Sequence, residues 1–131
     1  MALMLDRFFR HDTAGTLKAL TLEWKCPDCE GLNFRILTRG ERNAGRYDTR
    51  CRYCRSKFRV CYPRPDRAVD GEAEFMDRIS REDFTDPEKT DMIRDFAEIA
   101  SLREDRAQPG LIGGKMKALE DKIAFAKRRR R

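Results

Sequence analysis

The chain has 131 residues, with 29 Lys/Arg against 23 Asp/Glu and a formal net charge of +6. Charged residues make up 40% of it and mean hydropathy is −0.79, so apolar material is scarce. No run approaches the ~18 apolar residues of a membrane span, and the size fits one small domain with extensions.

Charge is segregated along the chain. Residues 1–64 carry a net +7, residues 65–110 a net −7 and residues 111–131 a net +6. Such alternation reads as three units with different partners.

Residues 1–18 read as an N-terminal extension. Leu3, Leu5, Phe8 and Phe9 fit one side of a short helix that breaks near Gly15. Asp6, Arg7 and Arg10 follow Met1–Leu5 at once, which excludes the apolar stretch of a secretory signal. The expected location is an intracellular, reducing compartment.

Period-2 alternation then begins. Leu20, Leu22 and Trp24 point one way, and Thr21, Glu23 and Lys25 the other. That strand runs into Cys26-Pro27-Asp28-Cys29. Beyond it Leu32, Phe34 and Ile36 alternate with Asn33, Arg35 and Leu37. A turn is expected over residues 40–45, where Gly40, Asn43 and Gly45 suit a hairpin. Tyr47 and Thr49 lead into Cys51-Arg52-Tyr53-Cys54. Phe58, Val60 and Tyr62 alternate with Lys57, Arg59 and Cys61, and Pro63 and Pro65 end the strand.

The two C-x-x-C pairs stand 21 residues apart. That spacing is a strong signal for one tetrahedral four-cysteine site, with Cys26, Cys29, Cys51 and Cys54 as ligands of a single structural Zn2+. A closed sulfur shell leaves no open position for water, so the metal is expected to be structural rather than catalytic. Three other readings are weaker. Disulfides fit poorly with five cysteines and a reducing compartment. A thioredoxin-like redox pair needs one C-x-x-C in a βαβ context. Iron, in a rubredoxin-like electron carrier, has the same sulfur preference, and spacing alone leaves it open. Cys61 reads as a strand cysteine.

Strand, knuckle, hairpin, knuckle, strand resembles the zinc-ribbon family over about residues 19–63. The resemblance rests on Cys26-Pro27-Asp28-Cys29-Glu30-Gly31, on Cys51-Arg52-Tyr53-Cys54 and on the flanking strands. The family usually carries Gly straight after the second Cys of a knuckle; here Glu30 and Arg55 stand there. The resemblance implies a small antiparallel sheet, structural zinc and use in nucleic-acid machinery.

If Trp24, Phe34, Ile36, Phe58 and Val60 pack inward, the opposite faces and turns carry Lys25, Arg35, Arg39, Arg46, Arg50, Lys57 and Arg59. Arg52 and Arg55 flank the second knuckle beside Tyr53. Guanidinium groups grip phosphate through two parallel hydrogen bonds, and exposed tyrosines offer stacking surfaces for bases.

Residues 64–86 read as an acidic linker, within which Phe75, Met76 and Ile79 suggest a short helical turn or docking segment. Asp86-Pro87 reads as a helix start, with Asp as N-cap and Pro at the first position. Met92, Ile93, Phe96, Ile99 and Ala100 form one apolar stripe of a helix over 87–107. Residues 108–114 read as a Gly/Pro joint. Gly114-Lys115 is no phosphate loop, because Met116 stands where the hydroxyl residue belongs. Residues 115–131 read as a basic amphipathic helix, with Met116, Leu119, Ile123 and Ala126 on one face. Its end, Lys127-Arg128-Arg129-Arg130-Arg131, is expected to stay disordered until it meets polyanion.

Catalysis finds no support. His11 is the lone histidine, and no nucleophile–base set or metalloprotease helix is present. The sequence therefore reads as a small metal-stabilised α+β chain: an antiparallel zinc β-ribbon, an acidic linker region, two α-helices and a basic tail. The expected function is non-catalytic nucleic-acid binding, RNA slightly before DNA, within a ribonucleoprotein or transcription complex that includes protein partners and no membrane. The alternative is a structural adaptor that docks proteins through the C-terminal helices.

Overall fold

The computed structural model describes residues 11–65 and 68–129. The chain divides into two compact units between residues 66 and 67.

The first unit is a curled five-stranded mixed sheet. Its strands are β1 (His11–Lys18), β2 (Thr21–Lys25), β3 (Leu32–Ile36), β4 (Arg46–Arg50) and β5 (Lys57–Cys61), in the order β3-β2-β1-β5-β4. β2 and β3 form one antiparallel hairpin and β4 and β5 another. β1 joins them, antiparallel to β2 and parallel to β5. The sheet is therefore mixed, not the purely antiparallel ribbon expected, because residues 11–18 supply the central strand. The helical reading of this segment fails over residues 11–18; residues 1–10 lie outside the described residues. Gly15 does not break the segment. A Cβ there would lie 2.5 Å from Val60 Cγ1 and 2.8 Å from Leu22 Cδ1, so glycine lets the sheet curl tightly around its centre.

Curling brings the hairpins' inner faces together. Trp24 of β2 meets Phe58 of β5 with ring centroids 5.5 Å apart. Leu22, Trp24, Cys26, Leu37, Cys51, Phe58, Val60 and Tyr62 form the buried core, flanked by Leu17 and Tyr47. The alternation expected for β2 and β5 matches this burial. The face expected for β3 does not. Asn33 is buried, whereas Leu32 and Phe34 are each 56% exposed. The expected inward packing of Phe34 and Ile36 is thus overturned, since they share their face with Thr21 and Glu23 of β2.

A short helix, α1 (Arg39–Ala44), replaces the expected 40–45 turn. Thr38 and Glu41 make a reciprocal capping box, and Gly45 closes the helix in the left-handed region. The buried Arg42 guanidinium donates to the Leu37 carbonyl at 2.8 Å, and the Tyr62 hydroxyl donates to the Glu41 carbonyl at 2.6 Å.

The second unit is helical: α2 (Glu72–Arg81), α3 (Asp86–Glu104) and α4 (Pro109–Arg129). The segment read as an acidic linker contains α2, whose Phe75 and Ile79 are buried. Thr85, not Asp86, caps α3, because its hydroxyl and the Glu88 carboxylate satisfy each other's backbone N–H groups. Met92, Phe96, Ile99 and Ala100 are buried along α3 as the stripe predicts. The 108–114 joint lies almost wholly inside α4, which starts at Pro109, where a missing N–H costs nothing. Leu119, Ile123 and Ala126 are buried and Phe125 is 59% exposed, in line with the predicted face, but Met116, expected on the same face, is 41% exposed.

Ion pairs link the helices. Arg78 grips Glu120 through two bonds of 2.6 Å, and Lys122 reaches Asp91 at 2.8 Å and Asp95 at 2.6 Å. Lys127 pairs with Glu82 at 3.0 Å and Arg129 with Glu88 at 2.6 Å. The basic end is therefore helical as far as Arg129, with Lys127 and Arg129 paired, and not a disordered tail; Arg130 and Arg131 lie outside the described residues. No helix among the described residues is long and apolar enough to cross a membrane.

Candidate metal centre

Each hairpin of the sheet carries one cysteine pair at its turn, and the two turns share one backbone design. In the first, the Cys26 N–H donates to the Gly31 carbonyl at 2.9 Å and the Glu30 N–H to the Cys26 carbonyl at 2.8 Å. In the second, the Cys51 N–H donates to the Ser56 carbonyl at 2.9 Å and the Arg55 N–H to the Cys51 carbonyl at 3.0 Å. Both turns need a left-handed residue after the second cysteine. Glu30 (φ 62°) and Arg55 (φ 67°) adopt it where glycine would do so without strain.

The curl of the sheet brings the turns face to face. Cys26 Sγ lies 3.6 Å from Cys54 Sγ, and Cys29 Sγ 3.5 Å from Cys51 Sγ. All four sulfurs lie within 4.8 Å of one another. A zinc ion with ~2.3 Å bonds to four sulfurs sets them ~3.8 Å apart, so this donor set could hold one tetrahedral ion. Cys26 and Cys51 are buried in the core while Cys29 and Cys54 are exposed. Cys61 stands outside the cluster, exposed on β5.

Asn33 ties the two turns together. Its Nδ2 donates to the Gly31 carbonyl at 3.3 Å and to Cys51 Sγ at 3.5 Å, and its Oδ1 accepts from the Arg52 N–H at 2.8 Å. This demand turns Asn33 inward and Phe34 outward. Sequence periodicity missed the residue, because an apolar alternation outranked a lone amide; its place four residues after Cys29 was the only available signal.

The sulfurs are not equivalent. Burial pushes the Cys51 thiol up, but the backbone N–H of Cys54, the Asn33 amide and the Tyr53 N–H outweigh it and bring it down to about 6. At Cys29 the Gly31 backbone favours the thiolate. Desolvation and the neighbouring sulfurs of Cys51, Cys26 and Cys54 prevail, and the thiol is pushed up to about 12. Ser56, whose Oγ lies 3.4 Å away, draws Cys54 below its ordinary value. A divalent ion held here would supply the positive charge that lets the cysteines bind it as thiolates.

The expected nucleic-acid residues divide into groups. Arg46, Arg50 and Lys57 lie exposed on the outer face of β4 and β5, where Arg50 stands opposite Lys57. Arg59 shares that face, but its guanidinium is paired with Asp48 at 3.1 Å. Arg52, Tyr53 and Arg55 are exposed at the second knuckle. The Arg52 guanidinium sits 5.3 Å from the Tyr53 ring centroid. A Cβ on Gly31 would fall 2.4 Å from Tyr53 Cδ2, so only glycine leaves room for the ring. Arg39 is exposed on α1. Arg35 departs from the expected outer face: it shares the inner side of β3 with Asn33, with its guanidinium 5.2 Å from the Tyr47 ring centroid. Of the basic end, Arg128 is exposed, while Lys127 and Arg129 are engaged by carboxylates.

Comparison with family models, curated proteins and solved structures finds no match to this chain.

Proposed function

We propose that this chain is a non-catalytic nucleic-acid-binding protein built on a zinc-ribbon-like module, with RNA slightly favoured over DNA. It would serve in a ribonucleoprotein or transcription complex within a reducing compartment, where four thiolates stay available to the metal. The observation that carries the reading is the cationic stripe running from the outer sheet face into the second knuckle. Arg50 stands directly opposite Lys57 on neighbouring strands, an arrangement that costs stability until an anion sits between them. Beside it, Tyr53 is 60% exposed yet seated on Gly31 and flanked by Arg52. A fixed, exposed ring next to guanidinium groups suits an unpaired base and its phosphate.

The test is fluorescence anisotropy of the zinc-loaded protein with single-stranded RNA, duplex RNA and duplex DNA at several salt concentrations. Replacing Arg50, Arg52, Arg55 and Lys57 by Gln should weaken binding and flatten the salt dependence, by about 0.7 in log–log slope per lost phosphate contact on a single strand. Tyr53→Ala should weaken single-strand binding with little change in slope. Unchanged affinity in both variants sinks the assignment. Iron and visible colour in the purified protein would instead favour an electron carrier.

A second reading, a protein-docking adaptor, draws on α4, where Leu111, Met116 and Phe125 are 49%, 41% and 59% exposed. It predicts protein partners that survive nuclease treatment.

A further inference from the structure

The outer side of β3 is an apolar stripe that the fold cannot withdraw. Leu32 and Phe34 are each 56% exposed, and Ile36 follows on the same face. Asn33 pins this orientation, because rotating β3 to bury Phe34 would pull the amide off Cys51 and Arg52.

The backbone adds a second observation. Cys26 bonds to Gly31 at 2.9 Å, and the Leu37 N–H donates to the Leu20 carbonyl at 2.9 Å. In the antiparallel ladder, hydrogen-bonded pairs alternate with non-bonded ones. With this register, Trp24–Asn33 and Leu22–Arg35 are the bonded pairs between those ends. The N–H and C=O groups of Leu32, Phe34 and Ile36 therefore point away from β2. β3 ends the strand order, so they point to the open edge. Among the described residues these outward backbone groups meet no other strand, and they belong to the same three residues as the apolar stripe, with Leu32 and Phe34 exposed and Ile36 half-buried.

The stripe is one strand wide. Its inland neighbours on β2 are Thr21, Glu23 and Lys25. A partner lying flat on the face would bury those charges, whereas a strand added edge-on would not. The opposite edge, β4, carries Arg46, Asp48 and Arg50 on its outer face, charges that discourage such pairing.

We propose that β3 pairs antiparallel with β3 of a second copy of this chain, with Phe34 opposite Phe34 at the two-fold axis. In that register Leu32 faces the second copy's Ile36, and each of these pairs exchanges both backbone hydrogen bonds. Arg35 falls opposite Asn33, so no like charges meet. The contact is isologous and closes at two chains, which pairing of β3 with β4 would not do. One five-residue ladder is smaller than a standard interface of about 800 Å² per partner, so the dimer is weak and concentration-dependent. The net charge of +6 opposes it, and added salt strengthens it, the reverse of the salt effect on nucleic-acid binding.

The test is sedimentation velocity of the zinc-loaded full chain over a hundredfold range of concentration at low and high salt. A reversible monomer–dimer equilibrium, tighter at high salt, is expected. Phe34→Asp should raise the dissociation constant at least tenfold while zinc content and Trp24 fluorescence stay unchanged. A positive control for register uses Phe34→Cys in a Cys61→Ser background. A bonded pair holds its Cα atoms ~5.5 Å apart, within disulfide range, so oxidation should link two chains. Arg35→Cys in the same background should not link them. A monomer at every concentration, a dimer indifferent to Phe34→Asp, or equal cross-linking at residues 34 and 35 overturns the proposal.

Discussion

The two units solve the same problem, too little apolar material, in different ways. The sheet unit places two of its cysteines, Cys26 and Cys51, inside its core beside Trp24 and Phe58. The helical unit has no cysteine; it buries Phe75, Met92, Phe96, Ile99, Leu119 and Ile123 and adds interhelical ion pairs such as Lys122 with Asp91 and Asp95. A core built around four close sulfurs that could hold one ion would be complete only with that ion in place. A core of helix seams needs no ion. The stability of one half should therefore depend on metal, and that of the other on packing.

Removing the metal should break the comparison most sharply. Structural zinc supplies an apparent ~10–16 kcal/mol that is coupled to folding. A strong chelator, or Cys51→Ser, should unfold the sheet and leave the helices. The chain's single tryptophan, Trp24, lies in the sheet core, so its fluorescence reports that unit alone. Helical ellipticity reports mainly the other. Loss of both signals together, or of neither, would refute this division. The converse experiment is Met92→Ala. Met92 is 1% exposed, and truncating such a residue costs ~2–5 kcal/mol. Helical ellipticity should melt earlier, with Trp24 fluorescence and zinc content unmoved.

A smaller effect isolates the amide between the turns. Asn33→Leu keeps the volume and removes the bonds to Gly31, Cys51 and Arg52. Outer partners of metal ligands typically contribute ~10–100-fold in affinity, so zinc should bind that much more weakly in competition with a chromogenic chelator. Wild-type affinity in a folded variant would show that the cysteines alone set the site.

What was legible in the sequence was local. The spacing of Cys26, Cys29, Cys51 and Cys54 is chemistry written over a few residues, and the alternation in β2 and β5 follows a core that lies on one side. What was illegible depended on distant contacts. In β3 the apolar alternation of Leu32, Phe34 and Ile36 points to the wrong face, and only the facing turn explains why the Asn33 amide belongs inside. In β1, Gly15 reads as a breaker until Val60 and Leu22 are seen to crowd it. The capping boxes Thr38–Glu41 and Thr85–Glu88 were present as sequence signals. Turn residues near the first, and Asp86-Pro87 at the second, are competing local signals. The basic end looked free for polyanion because the carboxylates that hold Lys127 and Arg129 lie about forty residues upstream.

The weakest expected effect tests whether the ion pairs of the helical unit matter beside its packing. Hydrogen bonding to the Arg78 guanidinium, opposed by desolvation, lowers the Glu120 carboxyl below its ordinary 4.5. A lowered folded value means that the pair stabilises the helices fully above that ordinary value. Its contribution is lost as pH falls through the folded one. The side chains are 43% and 55% exposed, so solvent screening holds the contribution to ~0–1 kcal/mol. Thermal melts followed by helical ellipticity should show Glu120→Gln slightly less stable than wild type at neutral pH. The two should converge in acid, once pH has fallen through the lowered folded value and wild-type Glu120 is neutral as well. High salt should narrow the neutral-pH gap in the same way. A gap that persists in acid would mean that Glu120 acts through packing over the cleft lined by Phe75, Phe96 and Leu119 rather than through its charge. In that case this pair would add nothing to the apolar packing of the helical unit, and the contrast with a sheet built around four sulfurs would be sharper still.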